Sequence, residues 1–432
     1  MARIGCLSYS GVGHVFPMAS LGAELQRRGH SVVYFQRPDL RSRIESVGVV
    51  FEGYGEAEMP VGSLIRELEE ISSMAGPEAF ARILEELFRE SAAMFREVPD
   101  KARRHGVDLF LIDQVCDAGV VVAKLMEVPY VSLALALPRE VEPGVPGWCS
   151  PLPYSQEPEM LAKHAVDLEA MLAMSAPLLE NVNRLLASQG RAPFASFWDA
   201  HSQLAIISQL PACFDFPRKA LPPQFHPTGP FHNGAAAAEI PFPWDRLDGR
   251  PLVFASLGTL QNRLPQVFQC IAAAMAELPV QLVLSLGGGL SVEELGPLPG
   301  DPLVVPYAPQ RKLLERAALM ITHAGMNSAL DCIAQGVPMV AIPISHDQPN
   351  IAQRIVYHGC GEMVLLDQLT PETLARAVRQ VLDDSRYRER ARALSAEIRQ
   401  LKGLERAANI VERVIETKAP VFRETAALGG TQ

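Results

Sequence analysis

The chain begins with RIGCLSYSGVGHVFPMASLGAELQRRGHSVVYF at residues 3–35, and this stretch indicates the class of fold. A short apolar run leads into a turn with Gly11 and Gly13. From Pro17 to Gly29 the apolar residues recur at helical spacing, and a second apolar run follows at 31–35. The order strand, turn, helix, strand predicts a βαβ unit. Continuous apolar strand patterns are typical of parallel sheets that helices cover on both faces.

The same alternation continues along the chain and is interrupted once. The segment 226–250 is rich in Pro, Gly and Ala and has no sustained period, which is typical of a linker. The 432 residues, 48% of them hydrophobic, suffice for more than one domain. We therefore expect an α/β protein with an N-terminal domain at 1–225, a linker at 226–250, a C-terminal domain at 251–417 and a flexible tail at 418–432.

Composition and charge exclude several classes of function. The formal net charge of −10 argues against nucleic acid as a partner, since phosphate contacts need a basic face. No apolar run reaches the roughly 18 residues of a membrane span, and the N-terminus lacks the pattern of a secretory signal. The seven cysteines form no CxxC pair, which favours a cytoplasmic location, and no metal-ligand spacing is present.

The turn GVGHVFP at residues 11–17 is the first candidate site. A dinucleotide fingerprint needs glycine where Phe16 stands, which disfavours a dinucleotide-dependent oxidoreductase. The turn presents His14 instead, and an imidazole suits a general base, although a structural histidine is the alternative. Asp113 ends the strand pattern LFLID and could orient the imidazole or cap the next helix; Asp117 is the second candidate partner.

Two loops in the second half have unusual polar residues. In THAGMNS an apolar strand leads through His323 and Gly325 to Asn327 and Ser328, in the first turn of a predicted helix. Such a helix N-terminus binds anions, with a helix cap as the alternative function of these side chains. In SHDQPN the neighbours Asp347 and Gln348 could bind vicinal hydroxyls or cap the following helix.

Residues 307–350, YAPQRKLLERAALMITHAGMNSALDCIAQGVPMVAIPISHDQPN, resemble the signature of the inverting family 1 glycosyltransferases in order and spacing. The first half agrees, because GVGHVFP matches the family's GxxHxxP loop, and SLGT at 256–259 is similar to the loop that opens its second domain. The resemblance covers essentially the whole chain. The flanking sequence is most similar to the bacterial branch with zeaxanthin glucosyltransferases.

The resemblance implies a GT-B fold, with two facing Rossmann-like domains and a cleft between them. It also implies inverting transfer of a hexose, with glucose favoured, from a UDP-sugar to a hydroxyl of a lipophilic acceptor that is carotenoid-like, a polyphenol or a terpenoid. No metal or cofactor is expected, and peripheral membrane contact stays open. By resemblance, His14 is the base and Asp113 its partner, and the donor-binding residues are Thr259, Tyr307, Ala308, Gln310, His323, Gly325, Asn327, Ser328, Asp331, Asp347 and Gln348.

Two of these positions depart from the plant form of the signature. Tyr307 replaces tryptophan beneath the uracil, and Asp331 replaces glutamate at the ribose and is one methylene shorter, so that an indirect contact or one through water is expected. Two other functions of the same architecture stay open at this stage: a non-catalytic UDP-sugar-binding protein and a UDP-sugar epimerase.

Overall fold

The computed structural model describes residues 1–72, 76–231, 240–259 and 262–424. The chain divides into two compact units. The first comprises Met1–Gly147, Pro158–Ala235 and Leu401–Gln432, and the second comprises Trp148–Glu157 and Ala236–Gln400.

The first unit is built on a parallel sheet. Its strands are β1 (Arg3–Leu7), β2 (Ser31–Gln36), β3 (Val50–Gly53), β4 (Leu109–Asp113), β5 (Tyr130–Ala134), β6 (Ile206–Ser208) and β7 (Phe225–Pro227), and its helices are α1 (Val12–Arg27), α2 (Arg41–Glu45), α3 (Ser63–Ser72), α4 (Gly76–His105), α5 (Asp117–Met126), α6 (Pro158–Ser188) and α14 (Gly403–Thr417). Within the described residues the strand order is β3-β2-β1-β4-β5-β6-β7, and every neighbouring pair is parallel.

Both faces of this sheet are buried, as the apolar strand patterns predict. Ile4 and Cys6 of β1 pack on one face against α1 and α14, whereas Leu7 belongs to the core on the other face, with residues of α4 and α5. Successive side chains of a strand point to opposite faces, so a strand covered on both sides must be apolar throughout. The predicted parallel α/β sheet is therefore confirmed.

Helix α1 begins earlier than the sequence pattern indicates. It starts at Val12 and contains Pro17, because the glycine turn itself forms the first helical hydrogen bonds: the N–H groups of His14 and Val15 both donate to the carbonyl of Gly11, at 2.9 and 3.1 Å. His14 is thus the third residue of a helix, where the sequence placed it on a turn.

The unit boundaries also differ from the predicted ones. Helix α14 falls within the predicted domain 251–417, yet Leu404 and Val411 bury their side chains in the first unit, in the core that contains Ile4. The predicted linker 226–250 begins inside β7, and its residues 232–239 lie outside the described ones.

Part of the predicted flexible tail, 418–432, is ordered. The N–H of Val421 donates to Leu204 at 2.8 Å, and the N–H of Arg423 donates to Pro223 at 2.9 Å. These backbone hydrogen bonds fix residues 421–423 on the first unit. Residues 425–432 lie outside the described part of the chain.

The second unit contains a second parallel sheet. Its strands are β8 (Leu252–Ser256), β9 (Gln281–Ser285), β10 (Leu303–Val305), β11 (Ala317–Thr322), β12 (Met339–Ala341) and β13 (Gly361–Met363), and its helices are α7 (Pro265–Ala276), α8 (Val292–Leu295), α9 (Gln310–Leu314), α10 (Met326–Gln335), α11 (Gln348–Tyr357), α12 (Pro371–Asp383) and α13 (Ser385–Leu401). Among the described residues the order is β10-β9-β8-β11-β12-β13, again parallel throughout.

Each sheet has one point at which its strand order reverses. In the first sheet this switch point lies between β1 and β4, and in the second it lies between β8 and β11. Ligands of open α/β sheets bind outside the carboxyl ends of the strands at such a point. The loops after these four strands are therefore the candidate ligand sites of the two units. In the described part of the chain, no helix is both long and apolar enough to cross a membrane.

Candidate functional site

His14 and Asp113 meet at the switch point of the first sheet. Asp113 is the last residue of β4, and His14 lies in the first turn of α1, which follows the loop that leaves β1. Nδ1 of His14 donates to Oδ2 of Asp113 at 2.8 Å, while Asp113 is 1% exposed and the His14 side chain 16%. With the proton on Nδ1, the basic lone pair of the ring is on Nε2. The imidazole is thus oriented by a buried carboxyl group.

Neighbouring residues hold both members of the pair. The N–H of Tyr9 donates to Oδ2 of Asp113 at 3.3 Å, and the Tyr9 ring meets the His14 ring edge to face, with centroids 5.4 Å apart. A Cβ on Gly11 would lie 2.8 Å from the Tyr9 ring, so only glycine leaves this ring in place. The glycine of the GVGH turn therefore serves the packing behind the histidine.

The segment before His14 is also held by a hydrogen bond to a residue of α4. Oε2 of Glu90 accepts from Oγ of Ser10 at 2.9 Å, and Oε1 accepts from the hydroxyl of Tyr54 at 2.8 Å. Glu90 is buried, and this burial raises the pKa of its carboxyl group. Sequence reasoning missed Glu90, because no local pattern links it to a loop eighty residues earlier in the chain.

The structure decides between the sequence alternatives at Asp113. Helix α5 begins at Asp117 after Cys116, so Asp113 does not cap it. Asp117 has a different partner, since its two carboxyl oxygens accept from Nη1 of Arg139 at 3.1 and 3.2 Å. Of the two candidate partners, Asp113 is the one that contacts His14.

The second unit presents the N-terminus of α10 at its switch point. Gly325 is the N-cap residue, without a side-chain cap, and no acidic side chain lies in the first turn. Asn327 and Ser328 are therefore the second and third residues of the helix and do not cap it. Backbone N–H groups and the helix dipole make such an end attractive to an anion.

His323 is packed between two glycines. A Cβ on Gly258 would lie 2.6 Å from Nε2 of His323, and a Cβ on Gly325 would lie 2.4 Å from the same atom. Burial lowers the pKa of His323 to about 4, so the ring is neutral near pH 7. It can take part in a hydrogen bond there but brings no positive charge. Thr259, the residue after Gly258, is exposed.

Two predicted donor-binding residues are hydrogen-bonded to each other. Nε2 of Gln310 donates to Oδ2 of Asp331 at 2.8 Å, and Nε of Arg311 donates to Oδ1 of Asp331 at 2.9 Å. Sequence reasoning did not single out Arg311. Tyr307, three residues before Gln310, is 47% exposed, and Ala308 is partly exposed. A half-exposed ring is free to stack on a planar ligand.

Gln348 shapes the loop in which it was predicted to bind a sugar. Its Oε1 accepts from the N–H groups of Ile344 and Ser345, at 2.9 and 3.0 Å. Asp347 is the N-cap residue of α11 but makes no side-chain cap bond. The carbonyl end of Gln348 is therefore structural, which leaves its NH₂ group as the end that could donate to a hydroxyl.

A glycine triplet after β9 is a further part of the carboxyl edge of the second sheet, and sequence reasoning missed it. Gly287 and Gly288 have positive φ of 65° and 81°, and a Cβ on Gly288 would lie 2.0 Å from the hydroxyl oxygen of Tyr307. Three consecutive glycines after a strand were the available signal.

In the described residues, no group of three or more His, Cys, Asp or Glu side chains is arranged to hold a metal ion.

Comparison with known proteins gives a consistent family. The family model described as UDP-glucoronosyl and UDP-glucosyl transferase matches residues 65–428. A zeaxanthin glucosyltransferase of Pantoea ananas is 33% identical over 98% of both chains. A second protein of that name, from Pseudescherichia vulneris, is 29% identical over 93% of this chain and 95% of its own.

A solved structure agrees on the fold. The crystal structure of the glycotransferase of kitacinnamycin superposes with a TM-score of 0.74, at 23% identity, over 95% of this chain and 98% of the other. At this identity the likeness shows the fold, which is GT-B.

Proposed function

Since the chain belongs to the family of UDP-glucoronosyl and UDP-glucosyl transferases, we propose that it transfers glucose from UDP-glucose to a hydroxyl of a lipophilic small molecule, with inversion at the anomeric carbon. Membership of the family makes the chain a transferase. The two relatives named zeaxanthin glucosyltransferase support glucose as the sugar and a carotenoid-like acceptor. A polyphenol or a terpenoid is the other acceptor class to test.

The observation that carries the proposal is the hydrogen bond of 2.8 Å between His14 and Asp113. Nε2 of His14 takes the proton of the acceptor hydroxyl, and the carboxyl of Asp113 stabilises the imidazolium that forms. The hydroxyl oxygen then bonds to the anomeric carbon as the bond from that carbon to the diphosphate oxygen breaks. Attack from the face opposite UDP inverts the configuration.

The leaving diphosphate needs stabilisation, and the second unit offers it. The first-turn N–H groups of α10 and the side chains of Asn327 and Ser328 lie at the N-terminal end of the helix. No acidic side chain in that turn competes with them for an anion. Hydrogen bonds from such groups act on developing negative charge without a metal. We accordingly propose a reaction that needs no metal or cofactor, with His323 and Thr259 as further diphosphate contacts.

We propose roles for the remaining donor residues that their geometry supports. The half-exposed ring of Tyr307, beside Ala308, stacks on the uracil, and the NH₂ group of Gln348 donates to a glucose hydroxyl, with Asp347 as acceptor. Asp331, hydrogen-bonded to Gln310, acts on the ribose end of the nucleotide indirectly, through Gln310. None of the seven cysteines, all in the described part of the chain, forms a disulfide, which supports our proposal of a cytoplasmic enzyme.

The test is a product screen by mass spectrometry. UDP-glucose and UDP-galactose are each incubated with zeaxanthin and with a panel of lipophilic alcohols and phenols, and product anomers are assigned by NMR. We expect a mass gain of one hexose from UDP-glucose, in β-configuration. Release of UDP without a glycoside, or a glycoside that retains the α-configuration, would contradict the proposal.

A further inference from the structure

Asn262 belongs to the loop between β8 and α7, at the carboxyl edge of the second sheet, and its side chain packs against the loop after β9. Its Nδ2 donates to the carbonyl oxygen of Gly258, after β8, at 2.8 Å. On its other side, a Cβ on Gly289, after β9, would lie 1.7 Å from its Oδ1. The residue is 3% exposed. The carboxamide thus fills the space between the two loops and is shielded from solvent.

The two loops also touch each other directly beside this side chain. A Cβ on Gly287 would lie 1.9 Å from the carbonyl oxygen of Gly258 and 2.5 Å from Nδ2 of Asn262. Gly258 and Gly287 both have positive φ, 77° and 65°, which side chains other than glycine rarely adopt. The glycines permit the close approach of the two loops. The hydrogen bond from Asn262 lies within the loop after β8 and fixes its carboxamide where it packs against Gly287 and Gly289 of the loop after β9.

Each of the two loops also packs against one of the predicted donor-binding residues. Gly258 meets the ring of His323, and Gly288 meets the hydroxyl end of Tyr307. A shift of either loop therefore changes the space available to one of these rings. The loops follow β8 and β9, whose last residues, Ser256 and Ser285, are paired in register, so both leave the sheet at one level.

We propose that Asn262 is a positioning residue for the nucleotide. It holds the loops after β8 and β9 at a fixed separation, and it thereby sets the ring of Tyr307 relative to the end of α10. The inference rests on the proposed function, because it assigns to Asn262 the arrangement of groups that bind UDP. Asn262 acts through Gly258 and the triplet Gly287–Gly289.

The experiment measures UDP binding by isothermal titration calorimetry. Asn262→Ala removes a buried hydrogen bond, and we expect the Kd for UDP to rise about tenfold. Asn262→Ser keeps a donor on a shorter side chain and is the milder variant in case Asn262→Ala does not fold; for it we expect a smaller rise. Thermal unfolding of each variant checks the fold.

Gln281 offers a matched control in the same unit. Its Nε2 also donates to a backbone carbonyl, that of Arg246, at 2.8 Å, and it is similarly buried, but it is the first residue of β9 and lies at the opposite edge of the sheet. Gln281→Ala should lower the melting temperature and leave the Kd for UDP unchanged.

The outcomes separate this inference from the proposed function. Wild-type affinity in folded Asn262 variants, or an equal loss of affinity in Gln281→Ala, would overturn the positioning role alone. A wild-type protein that binds no UDP would overturn the proposed function, and the inference with it. A selective loss in the Asn262 variants would support both.

Discussion

Asp113 holds the ring of His14 by a hydrogen bond of 2.8 Å from Nδ1, across the switch point between β1 and β4. The two residues come from different βα units and meet because their strands are neighbours, with Leu7 paired to Ile112 at the ends of β1 and β4. A neutral imidazole with Nδ1–H bound in this way directs its basic nitrogen away from the carboxyl group.

His14→Ala should reduce kcat by about 100-fold or more, since it removes the general base, and should leave UDP affinity near the wild-type value. The measurement pairs steady-state kinetics with calorimetric binding of UDP. His105→Ala is the matched control, because Nε2 of His105 makes a similar contact of 2.9 Å to Glu52 in the same unit. Near-normal turnover of His14→Ala would remove the base assignment.

Asp113→Asn should also reduce kcat by about 100-fold or more, for a different reason. The amide keeps the shape of the side chain, but it brings no negative charge to stabilise the imidazolium, and its NH₂ group can favour the wrong tautomer of His14. Asp117→Asn is the control, since Asp117 pairs with Arg139. We expect that control to lose stability and to keep turnover, so equal losses of kcat in both variants would count against the assignment.

Glu90→Gln should stabilise the protein increasingly as pH rises. Burial raises the pKa of Glu90 above its ordinary value of 4.5, although the charge of Arg37 opposes the shift. A raised pKa in the folded state means that this group's contribution to stability is fully present below pH 4.5 and is lost as pH rises through the folded-state pKa. Glutamine keeps a neutral side chain at every pH.

Denaturant unfolding of the wild type and of Glu90→Gln at several pH values between 4 and 8 is the measurement for this prediction. The difference in the free energy of unfolding should be smallest at the acidic end and should grow in favour of the variant with pH. A difference that is constant, or that grows in the opposite direction, would show that burial does not disfavour the charged form of Glu90.

The sequence was sufficient for the fold class and for naming Asp113 as a candidate partner of His14, because both depend on local patterns and on where parallel strands end; the choice between Asp113 and Asp117 required the structure. The sequence was insufficient for contacts that no strand-end pattern indicates. The helix around Leu404 has an apolar face that would suit either unit, and only packing assigns it to the first. The position of the Asn262 side chain depends on how closely the backbones at Gly258 and Gly289 approach it. No spacing of residues in the sequence encodes such an approach.

In the second unit, Gln348→Ala and Gln348→Glu should have different effects. Alanine removes the acceptor that holds the N–H groups of Ile344 and Ser345, so we expect kcat/KM for every UDP-sugar to fall, by about tenfold or more. Glutamate keeps an acceptor oxygen for the loop and loses the NH₂ donor, so we expect the preference between UDP-glucose and UDP-galactose to change.

Kinetics with both donors test this prediction. Gln353→Ala is the control on the same helix, because Nε2 of Gln353 donates to the carbonyl of Pro151. It should leave the ratio of the two kcat/KM values unchanged. If Gln348→Glu also leaves that ratio unchanged, the NH₂ group does not contact the sugar.

The last prediction concerns Asp331 and the ribose. Its two carboxyl oxygens already accept from Gln310 and Arg311, at 2.8 and 2.9 Å, and the side chain is shorter than the glutamate of the plant signature. A site built to bind a hydroxyl group rejects an analogue without it by about 10⁴-fold or more. A carboxyl group engaged in this way is a poorer partner for the 2′-hydroxyl, so we expect the Kd values of UDP and 2′-deoxy-UDP to differ by less than about tenfold.

Asp331→Asn should then weaken both ligands by the same factor, because it acts through Gln310 and the segment that holds Tyr307. Calorimetric titration of both proteins with both ligands gives the four Kd values; a large preference for UDP in the wild type that disappears in Asp331→Asn would instead establish a direct contact with the 2′-hydroxyl.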